Sequence, residues 1–276
     1  MRQLTRYKSY YSVHLLCVLL SHLWAGLSGG PMLLAQLTIA ACALHVRPRS
    51  ASRLAPPRCT AADGPVPSLV VLDLDMCVWS PEMYELDHMP SANKVTRGDL
   101  NGRGEGVTGV YSGHCVIRLF PGALVALQES HDHVHEGMKL AVASSADTPL
   151  AEDIGRAAMK ILEVVPGTTV HDVLTRDFAA DDSRSGHPNL QIGRQPPLSA
   201  DKSRTHFPAL REATGVPYDE MLFFDDSMWS DHCAMAEANC PGIVTQRTPR
   251  GMQEAEWRNG LRKFAAAKAM WHAPGS

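Results

Sequence analysis

The stretch Val70–Trp79, VVLDLDMCVW, begins as an apolar run and then carries two aspartates one residue apart, Asp73 and Asp75. Such a run is typical of a strand that is buried on both faces, as in a parallel sheet covered by helices. Burying a carboxylate without a partner costs several kcal/mol, so two acids at the end of this strand need water, a cation or a chemical purpose. We therefore look for a functional site where this strand ends.

From about Pro65 onward, strand-like and helix-like segments alternate. Further strands are predicted within GMKLAVASS, LQIG, EMLFFDD and GIVT, and a β-hairpin is predicted over Val107–Leu119. Helices are predicted within FPGALVALQESHDH, Thr148–Glu163, Ser203–Thr214, Ser230–Asn239 and Met252–Ala269. Apolar strands separated by helices predict an α/β fold, in which helices cover both faces of a parallel sheet.

The first 62 residues contain seven Lys or Arg and no Asp or Glu. An acid-free, Arg- and Ser-bearing start predicts that residues 1–64 form a cleaved leader, which would direct the protein to a plastid or a mitochondrion. A membrane anchor and a cytoplasmic protein are the alternatives, although His22 and Gly26–Gly30 interrupt the apolar run before it could span a bilayer. Residues 65–276 are expected to form one domain with a surface loop at about 177–201, and no stable membrane association is expected once the leader is removed.

Composition excludes several other classes of protein. After residue 62 the chain has 19 basic and 29 acidic side chains, a formal charge of −10, which disfavours nucleic acid as a partner. Its seven cysteines include no C-x-x-C pair, which argues against a disulfide scaffold and against a zinc site of the usual spacing.

Polar side chains follow several predicted strands, and ligands bind beyond the carboxyl ends of the strands in a parallel sheet. Crowded carboxylates repel each other unless a cation joins them, and oxygen ligands favour Mg²⁺. The side chains expected to converge are Asp73, Asp75, Ser144, Ser145, Lys202, Asp225 and Asp226.

This set suits phosphoryl transfer, which mostly requires positioning and charge neutralisation. Asp73 is a candidate nucleophile that would form an aspartyl-phosphate. Asp75, two residues along an extended chain, returns to the same face about 7 Å away and is a candidate general acid and base. Ser144 and Lys202 would hold the phosphoryl oxygens.

The segment DLDMCVW resembles the D-x-D-x-T-L/V opening of the haloacid dehalogenase (HAD) superfamily, and in particular its magnesium-dependent phosphatase-1 family, which reads like DLDYTLW there. The resemblance continues through IRLFPGALVAL, AVASS, DKSRTHFPALREATGVPYDEMLFFDD and GMQEAEWRNGLRKFA, from about Pro65 to Lys268. It implies a Rossmann-like core with a small β-hairpin insert, at about 94–119, instead of a large cap domain.

The resemblance also implies roles for individual residues. Asp73 would be the nucleophile and a Mg²⁺ ligand, and Asp75 the proton donor, with its main-chain carbonyl on Mg²⁺. Lys202 would be catalytic and would bind the phosphate together with Ser144. Asp226 is the better candidate for the remaining metal ligand, and Asp225 would orient it.

Three positions depart from the family pattern. Cys77 stands where the family usually has Thr, and Ser145 replaces an Arg that contacts the substrate. An expected Asn is also absent after the acid pair, so Ser230 or Asp231 is a candidate for its role beside the metal ligands. The change at Cys77 should spare the chemistry, whereas Ser145 puts the affinity and the choice of substrate in doubt and keeps a binding module as an alternative.

The sequence thus predicts a Mg²⁺-dependent phosphatase that acts on a small phosphorylated substrate or a phosphoprotein, with sugar phosphates and phosphotyrosine as candidates. A non-catalytic phospho-ligand binding module on the same fold and a phosphotransferase are the alternatives. Trp79 and Trp229 are predicted to line the pocket mouth or to belong to the core. HDHVHE (residues 131–136) is predicted to lie on the solvated surface.

Overall fold

The apolar run that precedes Asp73 lies at the centre of a five-stranded parallel sheet. The structure is a computed structural model, which describes residues 64–146, 148–183, 185–194 and 199–271. The strands are β1 (Leu69–Leu72), β6 (Lys139–Ser144), β9 (Leu190–Ile192), β10 (Met221–Asp225) and β11 (Val244–Arg247). Their order in the sheet is β11-β10-β1-β6-β9, and all four neighbouring pairs are parallel.

Alternate residues of the central strands point to opposite faces, and each face has its own apolar core. Val70, Leu72 and Phe224 belong to one core, whereas Val71 and Phe223 belong to the other. The helices are α1 (Pro121–His131), α2 (Pro149–Met159), α3 (Val170–Thr175), α4 (His206–Thr214), α5 (His232–Asn239) and α6 (Glu254–Trp271). Helices α1, α2, α3 and α6 contribute side chains to the first core and α4 and α5 to the second, so helices cover both faces, as predicted.

The insert is larger than the predicted hairpin. The strands β2 (Trp79–Ser80), β3 (Val95–Asp99), β4 (Glu105–Ser112) and β5 (Cys115–Leu119) form an antiparallel sheet in the order β2-β5-β4-β3. The expected hairpin is its β4–β5 pair. Strand β3 arises in a segment rich in Gly and charge, because it pairs along β4 at the edge of the sheet.

Other boundaries also differ from the sequence prediction. The helix expected over Thr148–Glu163 ends at Met159, and Glu163 begins β7 (Glu163–Val165), which pairs with β8 (Thr168–Thr169). Within the described part of residues 177–201, β9 is the only strand or helix, and it belongs to the parallel sheet with Leu190 and Ile192 buried.

The prediction that HDHVHE is solvated is wrong for one residue. The His135 side chain is buried because its Nε2 lies 3.0 Å from the buried Glu129 carboxylate.

The predicted leader, residues 1–64, lies outside the described residues apart from Gly64. Among the helices that the structure describes, none has the length and apolar character needed to cross a bilayer. All described residues belong to one compact unit.

Candidate active site

The carboxyl ends of β1, β6 and β10 open into one cavity of about 410 Å³. Since β1 lies between β6 and β10 in parallel register, residues that follow these strands meet at one edge of the sheet. Six of the seven predicted site residues line the cavity, namely Asp73, Asp75, Ser144, Ser145, Lys202 and Asp226. The seventh, Asp225, is fully buried and contacts Lys202.

Lys202 joins two of the carboxylates. Its Nζ lies 2.8 Å from Asp73 Oδ1 and 2.7 Å from Asp225 Oδ2, and all three side chains are buried. Burial lowers the pKa of Lys202, but the Asp225 and Asp73 carboxylates outweigh this effect and raise it above its ordinary value. The lysine is therefore a fixed positive charge at the end of β1.

The cluster carries more negative than positive charge. One carboxylate oxygen from each of Asp73, Asp225 and Asp226 lies within 4.8 Å of the other two. Three carboxylates and the single ammonium of Lys202 leave two negative charges, which one divalent cation would neutralise. Burial raises the pKa of Asp73 well above its ordinary value, and burial together with Asp225 raises that of Asp226 to about 6. An oxygen-only donor set with this excess charge fits Mg²⁺.

The two adjacent acids at the end of β10 have different surroundings. Asp225 accepts from Lys202 through Oδ2, and its Oδ1 accepts from the Ser227 backbone N–H at 2.7 Å. Ser227 has a left-handed backbone conformation, with φ 56°, which turns the chain back toward Asp225. Asp226 is half-buried and lines the cavity. Asp225 is therefore held by Lys202 and the Ser227 backbone, whereas Asp226 faces the cavity.

Asp75 is held from two sides. Its Oδ1 accepts from the Trp79 indole N–H at 2.9 Å, and its Oδ2 accepts from the Met83 backbone N–H at 3.0 Å. Burial raises the pKa of Asp75 to about 6, although both hydrogen bonds act in the opposite direction. A carboxyl group with a pKa near neutrality suits proton transfer.

Sequence reasoning missed His206, which supports the predicted phosphate-binding serine. The imidazole is fully buried, with Nε2 3.1 Å from the Ser144 carbonyl oxygen and Nδ1 2.8 Å from Thr205 Oγ1. The Gly193 N–H donates to the same carbonyl at 2.8 Å. His206 thus fixes the end of β6 from the side of α4. Its position beside Thr205 in the family-like segment DKSRTHF was the available signal.

His206 should make the protein less stable in mild acid. Burial lowers the pKa of His206 from 6.5 to about 4, so the unfolded chain binds a proton that the folded protein does not. The stabilisation is complete above pH 6.5 and is lost as the pH falls toward 4, by up to about 3 kcal/mol. In urea titrations between pH 4 and pH 7.5, we expect His206→Gln to flatten this dependence. The exposed His114→Gln is the control, and equal slopes in the two variants would contradict the expectation.

The three departures from the family pattern have distinct surroundings. Cys77 is buried, and burial raises the pKa of its thiol well above the ordinary value, so it is a packing residue rather than a reactive thiol. Within the part of the chain that the structure describes, Ser145 Oγ is buried without a hydrogen-bond partner. Ser230 lines the cavity, whereas Asp231 caps α5 through the Ala234 N–H, so Ser230 is the better placed of the two candidates beside the metal ligands.

Part of the cavity mouth is apolar, although the charged Glu82 and Arg194 also line the cavity. Trp229 is 75% exposed, and its indole N–H donates to Glu82 Oε1 at 2.9 Å, which links the loop after β10 to the loop after β2. Tyr84 and Met228 also line the cavity and are exposed. Exposed apolar side chains grouped at one cavity indicate a contact surface. Of the two tryptophans singled out in the sequence, Trp229 therefore lies at the mouth and Trp79 in the core.

No curated protein matches the chain. One similar solved structure is the N-terminal part of the protein BF1531 from Bacteroides fragilis, which contains a phosphatase domain and is complexed with Mg. It is 14% identical with a TM-score of 0.39, and the match covers 75% of this chain but only 41% of that one. A family model described as Acid Phosphatase matches residues 65–267, which include the whole site, and the chain therefore belongs to this acid phosphatase family.

Proposed function

We propose that this protein is a Mg²⁺-dependent phosphatase of the HAD type, close to the magnesium-dependent phosphatase-1 family, and that it hydrolyses phosphomonoesters through an aspartyl-phosphate. The observation that carries the proposal is the group of three carboxylates around Lys202 at the ends of β1 and β10, with two negative charges in excess. Membership of the acid phosphatase family supports the reaction class.

Mg²⁺ would be held by side-chain oxygens of Asp73 and Asp226 and by the main-chain carbonyl of Asp75. When bound, it would neutralise the site and attract the phosphoryl oxygens. Asp225 would act mainly by holding Lys202, since its own oxygens already accept hydrogen bonds.

The protein's own side chains account for the remaining steps. Asp73 attacks phosphorus, the bond to the leaving oxygen breaks, and Asp75 gives that oxygen its proton. Water then attacks the phosphorus, Asp75 takes the proton of the water, and Asp73 is released. Ser144 and Lys202 hold the phosphoryl oxygens, and Lys202 supplies a fixed positive charge as negative charge develops. Ser145 would add a second hydroxyl in place of the family Arg.

The candidate substrates are phosphotyrosine, free or in a phosphoprotein, and sugar phosphates. The apolar mouth formed by Tyr84, Met228 and Trp229 favours phosphotyrosine, because a phenyl ring buries apolar area there and a sugar buries less. We expect a higher kcat/KM for a phosphotyrosine peptide than for a hexose phosphate, measured by phosphate release. The reverse order would favour the sugar.

Two other functions remain as alternatives. A binding module on the same fold would keep the pocket but give no turnover, and Ser145 in place of an arginine is the departure that suggests it. A phosphotransferase would pass the phosphoryl group of the aspartyl-phosphate to an alcohol, which product analysis with added alcohols would detect.

We also propose that residues 1–64 direct the protein to a plastid or a mitochondrion, and that neither nucleic acid nor a membrane is a stable partner.

The proposal is tested with 4-nitrophenyl phosphate. We expect turnover to require Mg²⁺, to be abolished by a chelator and to return when Mg²⁺ is added back. Ca²⁺ at the same concentration is the matched control, because its larger coordination shell fits a site with few protein ligands poorly. Turnover that survives chelation would contradict the metal requirement, and tight phosphate binding without turnover would favour the binding module.

A further inference from the structure

The Asp75 carboxylate is fixed by groups that belong to the insert. Trp79 opens β2, and its backbone pairs with Leu119 of β5. Met83, which donates to the other oxygen of Asp75, begins a short 3₁₀ helix after β2. The proton carrier of the proposed reaction is therefore held by residues that follow it in the chain and lead into the second sheet.

The backbone between Asp75 and Trp79 is tightly folded. Met76 has a left-handed conformation, with φ 54°, and it turns the chain so that the backbone N–H groups of Val78 and Trp79 both donate to the Leu74 carbonyl, at 2.8 and 3.1 Å. This turn brings the indole back to the carboxylate four residues earlier.

The indole is also fixed by packing. Trp79 is fully buried in the apolar core that contains Val70 and Leu72 of β1. Gly155 of α2 lies against it, and a Cβ at Gly155 would stand 3.6 Å from Trp79 Cζ2. Because the ring is fully buried in a close-packed core, the N–H keeps one direction before any substrate binds.

A buried indole N–H needs a partner in any protein, so the hydrogen bond alone is not evidence of a role. The same chain provides the comparison: the indole of Trp257, also fully buried, donates to Glu129 at 2.8 Å. Glu129 is not among the residues that line the cavity, whereas Asp75 lines it together with Asp73. The two tryptophans therefore differ in their acceptors: Trp79 donates to a carboxylate of the cavity, and Trp257 donates to one that does not line it.

We propose that Trp79 is a positioning residue, which directs the Asp75 carboxyl group at the leaving oxygen of the substrate. The assignment rests on the proposed function. As the bond between Asp73 and phosphorus forms and the ester P–O bond breaks, the carboxyl proton of Asp75 passes to the leaving oxygen. A carboxyl group that turns freely delivers this proton less often, and the loss matters most when the leaving group is a poor one.

The test compares two leaving groups in Trp79→Phe, which keeps an aromatic ring but lacks the N–H. For an alkyl phosphate, whose leaving oxygen needs a proton, we expect kcat/KM to fall about 10- to 100-fold. For 4-nitrophenyl phosphate, whose leaving group departs as a stable anion, we expect a fall of less than about threefold. The ratio kcat/KM is the proper measure, because it reports the steps up to formation of the aspartyl-phosphate.

Trp257→Phe is the matched control, since it removes the other buried indole hydrogen bond. Trp257→Phe should lower the melting temperature, but any fall in kcat/KM should be the same for the two substrates. In ¹⁵N-Trp-labelled protein, the indole resonance that is lost in Trp79→Phe should shift in Asp75→Asn, which would report the contact without activity. If Trp79→Phe does not fold, the comparison uses 3-benzothienylalanine at position 79, an indole isostere in which sulfur replaces the N–H.

Equal losses on both substrates in a folded variant would overturn the positioning role and leave the proposed function intact. An unchanged rate on the alkyl phosphate would also overturn it. A wild-type protein that hydrolyses neither ester would overturn the proposed function, and this assignment with it.

Discussion

Replacing Asp73 by asparagine should reduce kcat on 4-nitrophenyl phosphate by on the order of 10⁴-fold or more, because an amide does not replace a carboxylate as nucleophile. The variant should stay folded. Burial raises the pKa of Asp73, so its charged form is disfavoured in the folded protein and a neutral amide of the same shape removes that cost. Lys202 keeps its contact with Asp225. The measurements are initial rates with Mg²⁺ and the melting temperature of the same sample.

Asp182→Asn is the matched control, because Asp182 is exposed and the same change there leaves the site intact. Acid quenching of the wild type during turnover should give a phosphate-sized mass increase on the peptide that contains Asp73, and the variant should show none. A folded Asp73→Asn protein with a rate within tenfold of the wild type would rule out the aspartyl-phosphate.

The sequence predicted those parts of the site that local pattern controls. Apolar runs fixed β1 and β10 to within a residue or two, and the polar residues after them had to meet at one edge once the sheet was parallel. The same argument placed Ser144, which ends β6. The order of the strands did not follow from pattern, since alternation of strands and helices fits several orders.

Contacts between individual side chains could not be predicted, whether the partners are near or distant in the chain. Asp225 and Asp226 have different roles because Asp225 accepts hydrogen bonds from Lys202 and Ser227, and these contacts exist only in the folded chain. The sequence predicts Trp79 only as a residue of the pocket mouth or of the core. Nothing in the sequence shows that its indole N–H turns back to donate to Asp75, four residues earlier. The burial of His135 likewise follows from a partner that lies six residues earlier, across the end of a helix.

That partner, Glu129, is the centre of a buried polar network whose side chains do not line the cavity. Its Oε2 accepts from the indole of Trp257 and from Arg258, both at 2.8 Å, and lies 3.0 Å from His135 Nε2. Trp257 and Arg258 belong to α6, and Glu129 to α1, so the network joins two helices that cover the same face of the sheet. Removing the carboxylate would leave buried donors without a partner, which costs more than the pair contributes when intact.

Glu129→Gln should therefore be strongly destabilising at neutral pH. Burial by itself raises the pKa of Glu129, but the hydrogen bonds from His135, Arg258 and Trp257 outweigh it and lower the pKa from 4.5 to about 2. Because the folded protein binds this proton less readily than the unfolded chain, the stabilisation is complete above pH 4.5 and is lost as the pH falls toward 2. The shift corresponds to about 3 kcal/mol, or a fall of roughly 5–10 °C in melting temperature.

The exposed Glu136→Gln is the matched control and should change the melting temperature by less than about 1 °C. Because no side chain of this network lines the cavity, Glu129→Gln should keep the wild-type kcat at temperatures where it is folded. As the pH falls from 5 to 2.5 the two variants should converge in stability, since protonation of Glu129 in the unfolded chain of the control removes the stabilisation that Glu129→Gln already lacks. If the gap between them stayed constant over that range, the stabilisation would come from packing and not from the ionised carboxylate.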